Sequence, residues 1–533
     1  MRLLSDLPLE YINKYRIIAF MSSNASSLPK DPQELAKIID NLTRRNERLE
    51  AKVRWFEEQF HLARHKQFGT SSEKNCKEQR NLFDEAEAIA EDGPFEEEVR
   101  QTIDSYERKK PGRRPIPKDV SLERIEYRLT EEERICEACG GTMHEMSEQC
   151  RHEVKLIPAT VKMIQHAQIV YGCRNCEKNG IEVPIKTAKA PNPVIKNGLA
   201  SPSAVAYVMN MKFVEGVPLY RQEQHYARLG IYLSRGVLSN WMIKGSEWLE
   251  LIYDRLRQHL LRHGILHADE TTLQVLKEPG RAAESKSYMW LYRTGCVGPP
   301  IVLFDYKPNR EGENPRKFLE GFKGYLHVDG YAGYHNIPDV ILAGCWAHFR
   351  RKFDEALKAL PSKKRSGSMA QEGLRRINQL FEIERKLVNS TPEQRLEARN
   401  QKSRPIVEDL RKWLDEMKPA VLPKSLFGIA VNYGREQWTK LICFLEDGRI
   451  ELSNNRAERS IKPFVIGRKN WLFANTPKGA RASAVIYSLV ETAKENKLAP
   501  YAYLNHLFER LPNLESRDAD TLDQLLPWNV NLQ

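Results

Sequence analysis

Three acidic residues stand where the surrounding sequence makes a carboxylate costly. Asp269 interrupts the apolar, β-branched run GILHADETTLQVL, and Asp329 ends a second such run, GYLHVDGYAGY. A charge inside a buried strand is unfavourable unless it is paired or bound to metal. Both runs place the carboxylate where a strand gives way to a turn. Glu458 lies in LSNNRAERSIKP, where Ser453 or Asn454 can cap a helix and Asn454 shares a face with Glu458 by i, i+4 spacing.

Two C-x-x-C pairs have the spacing of metal ligands. They are Cys136 with Cys139 and Cys173 with Cys176. Four thiolates close a tetrahedral zinc site, and the intervening EVKLIPATVKMIQHAQIVY can form a hairpin that returns the second pair beside the first. A redox site fits less well, because it needs a single C-x-x-C beside a βαβ unit. Substitute ligands in this segment are His144, Cys150 and His152.

The charge of the chain is positive and unevenly distributed. The 533 residues include 83 Lys and Arg against 71 Asp and Glu, for a net charge of +12, and nine cysteines without an export signal. Residues 84–98 are acidic, whereas 108–118, RKKPGRRPIPK, carry no acid. Such clustering favours a nucleic-acid partner, because clustered cations release counterions from phosphates. Lys110, Arg113 and Arg114 resemble a minor-groove hook, with a solvated basic linker as the alternative.

A helix-turn-helix pattern is found in residues 219–249. The segment predicts a helix, a turn at Gly230 and a second helix capped by Ser234, with Arg235 and Ser239 on its exposed face. That second helix could enter a major groove. An ordinary pair of core helices is the alternative interpretation.

Residues 31–63 carry a heptad repeat that predicts a coiled coil. One seam position is filled by Leu35, Leu42, Leu49 and Phe56, and the other by Ile39, Asn46, Val53 and Phe60. The flanking charges are Arg45, Lys52, Glu50 and Glu57. A buried Asn46 would specify register, and the flanking charges attract in a parallel dimer. The pattern therefore favours self-association, and the alternative is a helix packed on the chain's own core. No apolar stretch is long enough for a transmembrane helix, so no membrane partner is expected.

The order of elements and five motifs together resemble a known family. SYMWLYRTG and PIVLFDYKP read as strands between the two aspartates, so the predicted order is strand with Asp, strand, strand, helix, strand with Asp, helix, and later a helix with Glu. The motifs are HADET (267–271), HVDGYAGY (327–334), CWAHFRRKF (345–353), SNNRAERSIKPFVIGRKNWLF (453–473) and SLVETAKENKLAPYAYL (488–504). In these the sequence resembles the IS66 family of bacterial insertion-sequence transposases, which are DDE transposases with an RNase H-like fold.

The resemblance implies a mechanism and a set of site residues. Asp269, Asp329 and Glu458 would be the catalytic triad, holding two Mg²⁺ ions (or Mn²⁺) that serve first end cleavage and then transfer of a DNA 3′-OH. Nearby rivals for these roles are Glu270, Glu446 and Glu451. The DNA partners would be terminal inverted repeats and target DNA in the bacterial cytoplasm and nucleoid, with accessory proteins of the same element.

Other residues of the motifs are candidates for contacts with the substrate. Lys462, Arg468 and Lys469 belong to a basic run suited to phosphates, which Lys478 and Arg481 extend. His348 and Arg350, on the helix that follows the second acid, could orient substrate, and a packed structural histidine is the alternative. Two other functions compete with transposition: a dimeric zinc-containing DNA-binding regulator without catalysis, and a sequence-nonspecific RNase H-like nuclease.

These observations predict a multidomain α+β protein. Its expected parts are a flexible tail (1–30), the coiled coil (31–68), a linker with the basic segment (69–118), a zinc-binding β module (119–190), a helical region with the helix-turn-helix candidate (191–262), an RNase H-like α/β catalytic core in two parts (263–358 and 441–490), a helical insertion (359–440) and a C-terminal element (491–533).

Overall fold

The computed structural model describes residues 41–43, 45, 46, 49, 53, 56, 160–172 and 185–532. The predicted zinc ligands and the predicted basic hook lie outside these residues; they are Cys136, Cys139, Cys173, Cys176, Lys110, Arg113 and Arg114. The elements below belong to one of two units of the chain, the unit made of residues 1–93 and 166–533.

The described residues of the heptad segment are helical and solvent-facing. The large apolar side chains of Leu42, Leu49, Val53 and Phe56 are each more than half exposed. These side chains are therefore not packed in the described core of their own chain, which was the alternative interpretation of the heptad.

A short antiparallel ribbon flanks the second cysteine pair. Strand β1 (Val170–Gly172) pairs with β2 (Ile185–Thr187), with Tyr171 opposite Lys186. Strand β1 is the end of the segment predicted to form a hairpin, and its described partner lies after Cys176 rather than before Pro158. In sequence, β1 ends just before Cys173 and β2 begins after Cys176.

Three helices lie within residues 202–260, and the second and third form the predicted helix-turn-helix pair. They are α1 (Pro202–Phe213), α2 (Leu219–Arg228) and α3 (Arg235–Leu260). Gly230 has a φ of +85°, which lets the chain turn tightly after α2, and the hydroxyl of Ser234 accepts a hydrogen bond from the Val237 N–H as predicted. Arg235 is exposed but its guanidinium pairs with Glu223 at 3.1 Å, and Ser239 is half-buried.

The centre of the unit is a five-stranded mixed sheet in the order β5-β4-β3-β6-β7. Its strands are β3 (Ile265–Gln274), β4 (Lys286–Thr294), β5 (Val302–Lys307), β6 (Gly324–Val328) and β7 (Val340–Gly344). Strands β3, β4 and β5 form an antiparallel meander, whereas β6 and β7 run parallel to β3. Strand β7 was missed by the sequence analysis, because five residues between turn residues and a helix are too few for periodicity to identify.

Helices enclose this sheet. A short helix, α4 (Glu313–Phe318), connects β5 to β6, and α5 (Trp346–Ala359) follows β7. Towards the C-terminus come α12 (Asn455–Trp471), α13 (Pro477–Glu495), α14 (Pro500–Arg510) and α15 (Ala519–Asp523). Helix α13 docks on the edge strand β5, where Ser488 accepts the Phe304 N–H and Thr492 accepts the Val302 N–H. None of the helices in the described ranges is long and apolar enough to span a bilayer.

A helical region lies between α5 and α12, as the long interval between Asp329 and Glu458 predicted. It contains α6 (Ser362–Arg365), α7 (Met369–Lys386), α8 (Pro392–Ala398), a π-helical turn at Arg399–Ser403, α9 (Arg404–Met417), α10 (Leu426–Glu436) and α11 (Trp438–Leu441). Its apolar side chains form a second core around α5, centred on Phe349, Phe353 and Leu414.

A buried arginine ties this helical region together. Arg399 is fully buried, forms two hydrogen bonds of 2.7 and 2.8 Å with the Glu384 carboxylate, and donates to the Phe444 carbonyl oxygen at 2.8 Å. A buried charged group is tolerated only when an opposite charge and hydrogen-bond partners compensate for its removal from water.

We predict that Arg399→Met destabilises the protein by about 3 kcal/mol, because it leaves the Glu384 carboxylate and two carbonyl oxygens without their partner. Thermal unfolding of the purified chain measures the change. Arg375→Met is the matched control, since Arg375 forms an exposed pair with Glu372 and its loss should change the melting temperature little. Equal effects of the two substitutions would contradict this role for Arg399.

Candidate active site

The register between two parallel strands brings the predicted aspartates side by side. Strand β3 pairs with β6 so that His267 lies opposite His327, and each histidine comes two residues before an aspartate. Side chains at i and i+2 project from the same face of a strand, and neighbouring strands lie about 4.8 Å apart. Asp269 and Asp329 therefore occupy equivalent positions on adjacent strands. The prediction that each carboxylate lies where a strand gives way to a turn is wrong for Asp269, because β3 continues to Gln274 and Asp269 pairs with Leu291 of β4, whereas Asp329 directly follows β6.

The third predicted acid enters from the helix packed on β3. Helix α12 follows the strand from Asn454, whose amide Nδ2 donates to the Ala268 carbonyl at 2.8 Å, to Arg468, which donates to Thr271 and Thr272. Glu458 lies in the first turn of this helix. Its carboxylate is close enough for its negative charge to act on Asp269.

The pKa of Asp269 depends on its burial and on the negative charges around it. Burial raises the pKa of Asp269 well above its ordinary value, and the negative charges of Glu270, Glu458 and Asp329 raise it further. One oxygen of Asp269 accepts the Glu270 N–H at 2.8 Å, and one oxygen of Asp329 accepts the Tyr331 N–H at 2.8 Å. The negative charges of Glu458 and Asp329 therefore both act on Asp269, whose side chain is half-buried.

The rival Glu270 has a different task. Its side chain is almost fully buried and accepts hydrogen bonds from Arg310 at 2.8 Å and from the Tyr334 hydroxyl at 2.5 Å. The Arg310 guanidinium lies 3.7 Å from the centre of the Tyr331 ring, and the Tyr331 hydroxyl donates to the Arg310 carbonyl oxygen. Glu270 therefore anchors the turn that carries Asp329.

Glu446 and Glu451, the other two alternative candidates, form contacts with other residues. Glu446 accepts the Tyr325 hydroxyl at 3.0 Å. Glu451 forms a 2.6 Å ion pair with Arg456 and lies 3.5 Å from Nε2 of His267. Neither carboxylate is among the charges that act on Asp269.

Two stacked histidines form a floor beneath the acids. The rings of His267 and His327 are fully buried, with centroids 5.0 Å apart and planes 11° from parallel. His267 Nδ1 donates to the side-chain oxygen of Asn454 at 2.9 Å, and His327 Nε2 donates to the Glu451 carbonyl at 3.0 Å. Burial lowers the pKa of His267 to about 4 and of His327 to about 3, so both rings are neutral at neutral pH.

Asn454 was predicted as a helix cap, together with Ser453, and this role is wrong for its side chain. Asn454 occupies the N-cap position of α12 but forms no side-chain capping bond, because its amide is committed to Ala268 and His267. The side chain instead fixes the start of the helix to the strand that carries Asp269. In the sequence, the one sign of the stacked histidine pair is the H-x-D pattern that both strands share.

A second convergence lies beside Glu458. The potential ligand atoms of Cys345, His348 and Glu458 lie within 4.8 Å of one another, whereas the three acids do not form so compact a group among the described residues. Cys345 is buried, and its Sγ accepts the Asn454 N–H at 3.2 Å. Burial and the charge of Glu458 raise the pKa of the Cys345 thiol to about 12.

The predicted basic residues are spread over α12 and its surroundings. Lys462 and Lys469 are exposed on α12, while Arg468 is half-buried against β3. Arg481 pairs with Glu250 at 2.8 Å, at a distance along the chain from the acids, and Lys478 is exposed. Lys462 and Lys469 are therefore exposed on the helix that bears Glu458, whereas Arg481 forms an ion pair with Glu250.

The chain matches four family models that together cover most of its length. Residues 197–482 match the model described as Transposase IS66 family, 488–528 the IS66 C-terminal element, 133–177 the zinc-finger binding domain of transposase IS66, and 55–126 the model described as Transposase C of IS166 homeodomain. The zinc-finger match covers both C-x-x-C pairs and supports zinc as a ligand of that segment.

Three proteins of Sinorhizobium fredii are similar over most of their length. The uncharacterized protein y4jD is 30% identical over 96% of this chain and 98% of its own. Uncharacterized proteins y4hP and y4qI are each 30% identical, over 80% and 81% of this chain and 78% and 81% of their own.

The buried histidine floor makes stability depend on pH. The pKa values of His267 and His327 are lower in the folded chain than in the unfolded chain, so only the unfolded chain takes up these protons as the pH falls below about 6.5. Their contribution is complete above that pH and is lost progressively towards pH 4.

We predict that His327→Leu costs about 1–3 kcal/mol at pH 7, because the Glu451 carbonyl loses its donor, and that it makes the fall in melting temperature from pH 7 to pH 5 shallower. Thermal unfolding at several pH values measures both effects. Exposed His166→Ala should keep the original slope. An unchanged slope in His327→Leu would show that His327 is not a buried neutral ring.

Proposed function

The chain belongs to the IS66 family of transposases, and from that premise we propose that it binds the ends of an insertion sequence and catalyses Mg²⁺-dependent cleavage and transfer of DNA strands. In this proposal Asp269, Asp329 and Glu458 are the catalytic metal ligands. The observation that carries it is the parallel register of β3 and β6, because Asp269 and Asp329 take equivalent positions in that register and α12, which bears Glu458, is bonded to β3 through Asn454.

The sheet supports assigning an RNase H-like fold to the core. Three antiparallel strands followed by two strands parallel to the first, in the order β5-β4-β3-β6-β7, are the arrangement expected of that fold. The first acid then lies on the first strand of the sheet and the second acid at the end of the fourth. The helical region 359–440 enters after the helix that follows the fifth strand.

The residues present fit a hard divalent cation. Burial raises the pKa of Asp269, and the negative charges of Glu458 and Asp329 raise it further. One oxygen of Glu458 is shielded from solvent without a hydrogen-bond partner. Oxygen donors of this kind are the ligands that Mg²⁺ prefers, and a bound cation would offset both penalties.

The chain's own groups would prepare this pocket for phosphodiester chemistry. When bound, divalent ions activate the attacking water or 3′-OH and stabilise the leaving oxygen. The Glu270–Arg310–Tyr331 contacts fix the turn of Asp329, and the neutral histidine floor keeps additional positive charge away from beneath the carboxylates. Because attack is made by water or by the DNA end itself, no Ser or Tyr nucleophile is required.

DNA binding would use surfaces on either side of the acids. Lys462, Arg468 and Lys469 on α12 would contact phosphates close to the cleaved bond. Arg235 would contact DNA from the start of α3, where it must first leave Glu223. Lys110, Arg113 and Arg114 would add contacts from the basic segment in the manner of a minor-groove arm.

Self-association through the heptad helix would pair two catalytic cores on the two ends of one element. The exposed side chains of Leu42, Leu49 and Val53 repeat along one stripe and need a partner to leave water. A dimer or higher oligomer of this chain would supply it. We propose that the protein acts in the bacterial nucleoid together with accessory proteins of the same element.

We predict that Asp269→Asn, Asp329→Asn and Glu458→Gln each reduce Mg²⁺-dependent cleavage more than about a thousandfold, since each removes a ligand from the metals that stabilise the transition state. The substrate is a duplex carrying the inverted repeats that flank the gene, and DNA affinity in the absence of metal should remain within about threefold.

The matched controls are Asp339→Asn and Glu446→Gln, whose carboxylates contact Lys323 and Tyr325 away from the pocket. A triad variant that still cleaves would remove that residue from the proposed triad. Cleavage of DNA lacking the repeats, without strand joining, would instead identify a nonspecific nuclease, and binding without any cleavage would identify a regulator.

Zinc is proposed to bind Cys136, Cys139, Cys173 and Cys176 and to fold their module. We predict that Cys136→Ser and Cys173→Ser each lower the bound zinc below one ion per chain, because a three-thiolate site binds zinc more weakly. Exposed Cys296→Ser is the control and should keep the zinc content. Elemental analysis of the purified variants measures it, and unchanged zinc in both module variants would contradict the assignment.

A further inference from the structure

His348 lies within the carboxylate cluster rather than beside it. It belongs to the first turn of α5, and its Nδ1 is 3.7 Å from Oε1 of Glu458. Burial lowers the pKa of His348, and the charges of Glu458 and Asp329 oppose that shift, so the imidazole is close to two of the three proposed metal ligands. The cationic groups that act on it, Arg351 and Lys352, come from its own helix.

The two facing atoms have no hydrogen-bond partner. His348 Nδ1 and Glu458 Oε1 are each shielded from solvent and unsatisfied. Buried polar atoms are nearly always paired, so two orphans that face each other need an explanation. Arg351 does not supply it, because its guanidinium is 3.9 Å from the other carboxylate oxygen, Oε2.

The separation of the two atoms suits a shared ion better than a hydrogen bond. Hydrogen bonds between nitrogen and oxygen are about 2.7–3.2 Å long, shorter than the observed 3.7 Å. Two ligands that each lie about 2.1 Å from one metal are about 3.0 Å apart in an octahedron and about 3.4 Å apart in a tetrahedron. A side-chain rotation that moves the two atoms a few tenths of an ångström closer together would bring them into that range.

The remaining member of the cluster is not needed as a ligand. Cys345 is fully buried at the start of α5, and its sulfur already accepts the N–H of Asn454 at 3.2 Å. That contact joins α5 to the residue that fixes α12 to β3. Cys345 thus helps to hold His348 and Glu458 at their separation.

We propose that His348 is itself a metal ligand, binding through Nδ1 the same divalent ion as Glu458 and Asp329. Because a neutral imidazole is a softer donor than a carboxylate or water, this position favours a first-row transition ion such as Mn²⁺ over Mg²⁺. The inference rests on the proposed function, since it adds a fourth protein ligand to the proposed carboxylate site.

The test uses the full-length, zinc-loaded protein and Mn²⁺ alone as the probe. Titration followed by electron paramagnetic resonance measures Mn²⁺ affinity, and pulsed measurements detect a nitrogen nucleus bonded to the ion. We expect the nitrogen signal in the wild-type complex and its loss in His348→Ala, with about tenfold weaker Mn²⁺ binding. Mg²⁺ affinity, measured by competition, should fall less.

Two further variants make the result specific. His348→Asp should restore Mn²⁺ affinity without the nitrogen signal, and it should narrow the preference for Mn²⁺ over Mg²⁺. His506→Ala on α14 is the histidine control and should retain both affinity and signal.

Different outcomes separate the failure of this inference from the failure of the proposed function. If wild-type protein binds Mn²⁺ without a nitrogen signal, or His348→Ala keeps the signal, His348 is not a ligand and the carboxylate site stands. If Asp329→Asn and Glu458→Gln leave Mn²⁺ affinity unchanged, the ion is not held by the carboxylates, and both the inference and the proposed metal site fail.

Discussion

The parallel pairing of β3 with β6 is the constraint on which the site depends. Because His267 lies opposite His327, the residues two positions later, Asp269 and Asp329, end up adjacent on one face of the sheet. A shift of one residue would bring Glu270 to that face and turn Asp269 into the apolar layer. The actual register is fixed by the burial of Leu266, Ala268, Leu326 and Val328 on the opposite face.

Holding carboxylates close together in a half-buried position costs free energy. The surrounding residues prevent the acidic side chains from moving apart. Glu270 is held by Arg310 and Tyr334, so it cannot move into the pocket. Asn454 bonds the start of α12 to the Ala268 carbonyl and to His267, so Glu458 cannot move away with its helix. The negative charges that act on Asp269 are of the kind that a divalent cation offsets, which is what the proposed function requires.

Local sequence predicted the parts of this site that depend on local patterns. The interrupted apolar runs predicted two neighbouring strands that carry Asp269 and Asp329, the Ser234 cap marked the start of α3, and the interval before Glu458 indicated a helical region. The sequence could not predict contacts between distant segments. The choice between Asp269 and Glu270 requires the strand register, and the bonds of Asn454 join residues that are nearly two hundred positions apart. The approach of His348 to Glu458 likewise depends on how two helices meet, which no periodicity encodes.

The central claim is that Asp269, Asp329 and Glu458 hold divalent ions in common. A crystal of the full chain grown with Mn²⁺, analysed by anomalous scattering, tests it most directly. The account predicts an anomalous peak about 2 to 2.5 Å from carboxylate oxygens of Asp269 and Asp329 and a peak at the same distance from Glu458. Manganese bound only at other residues, with the three carboxylates too far apart to share an ion, would contradict it.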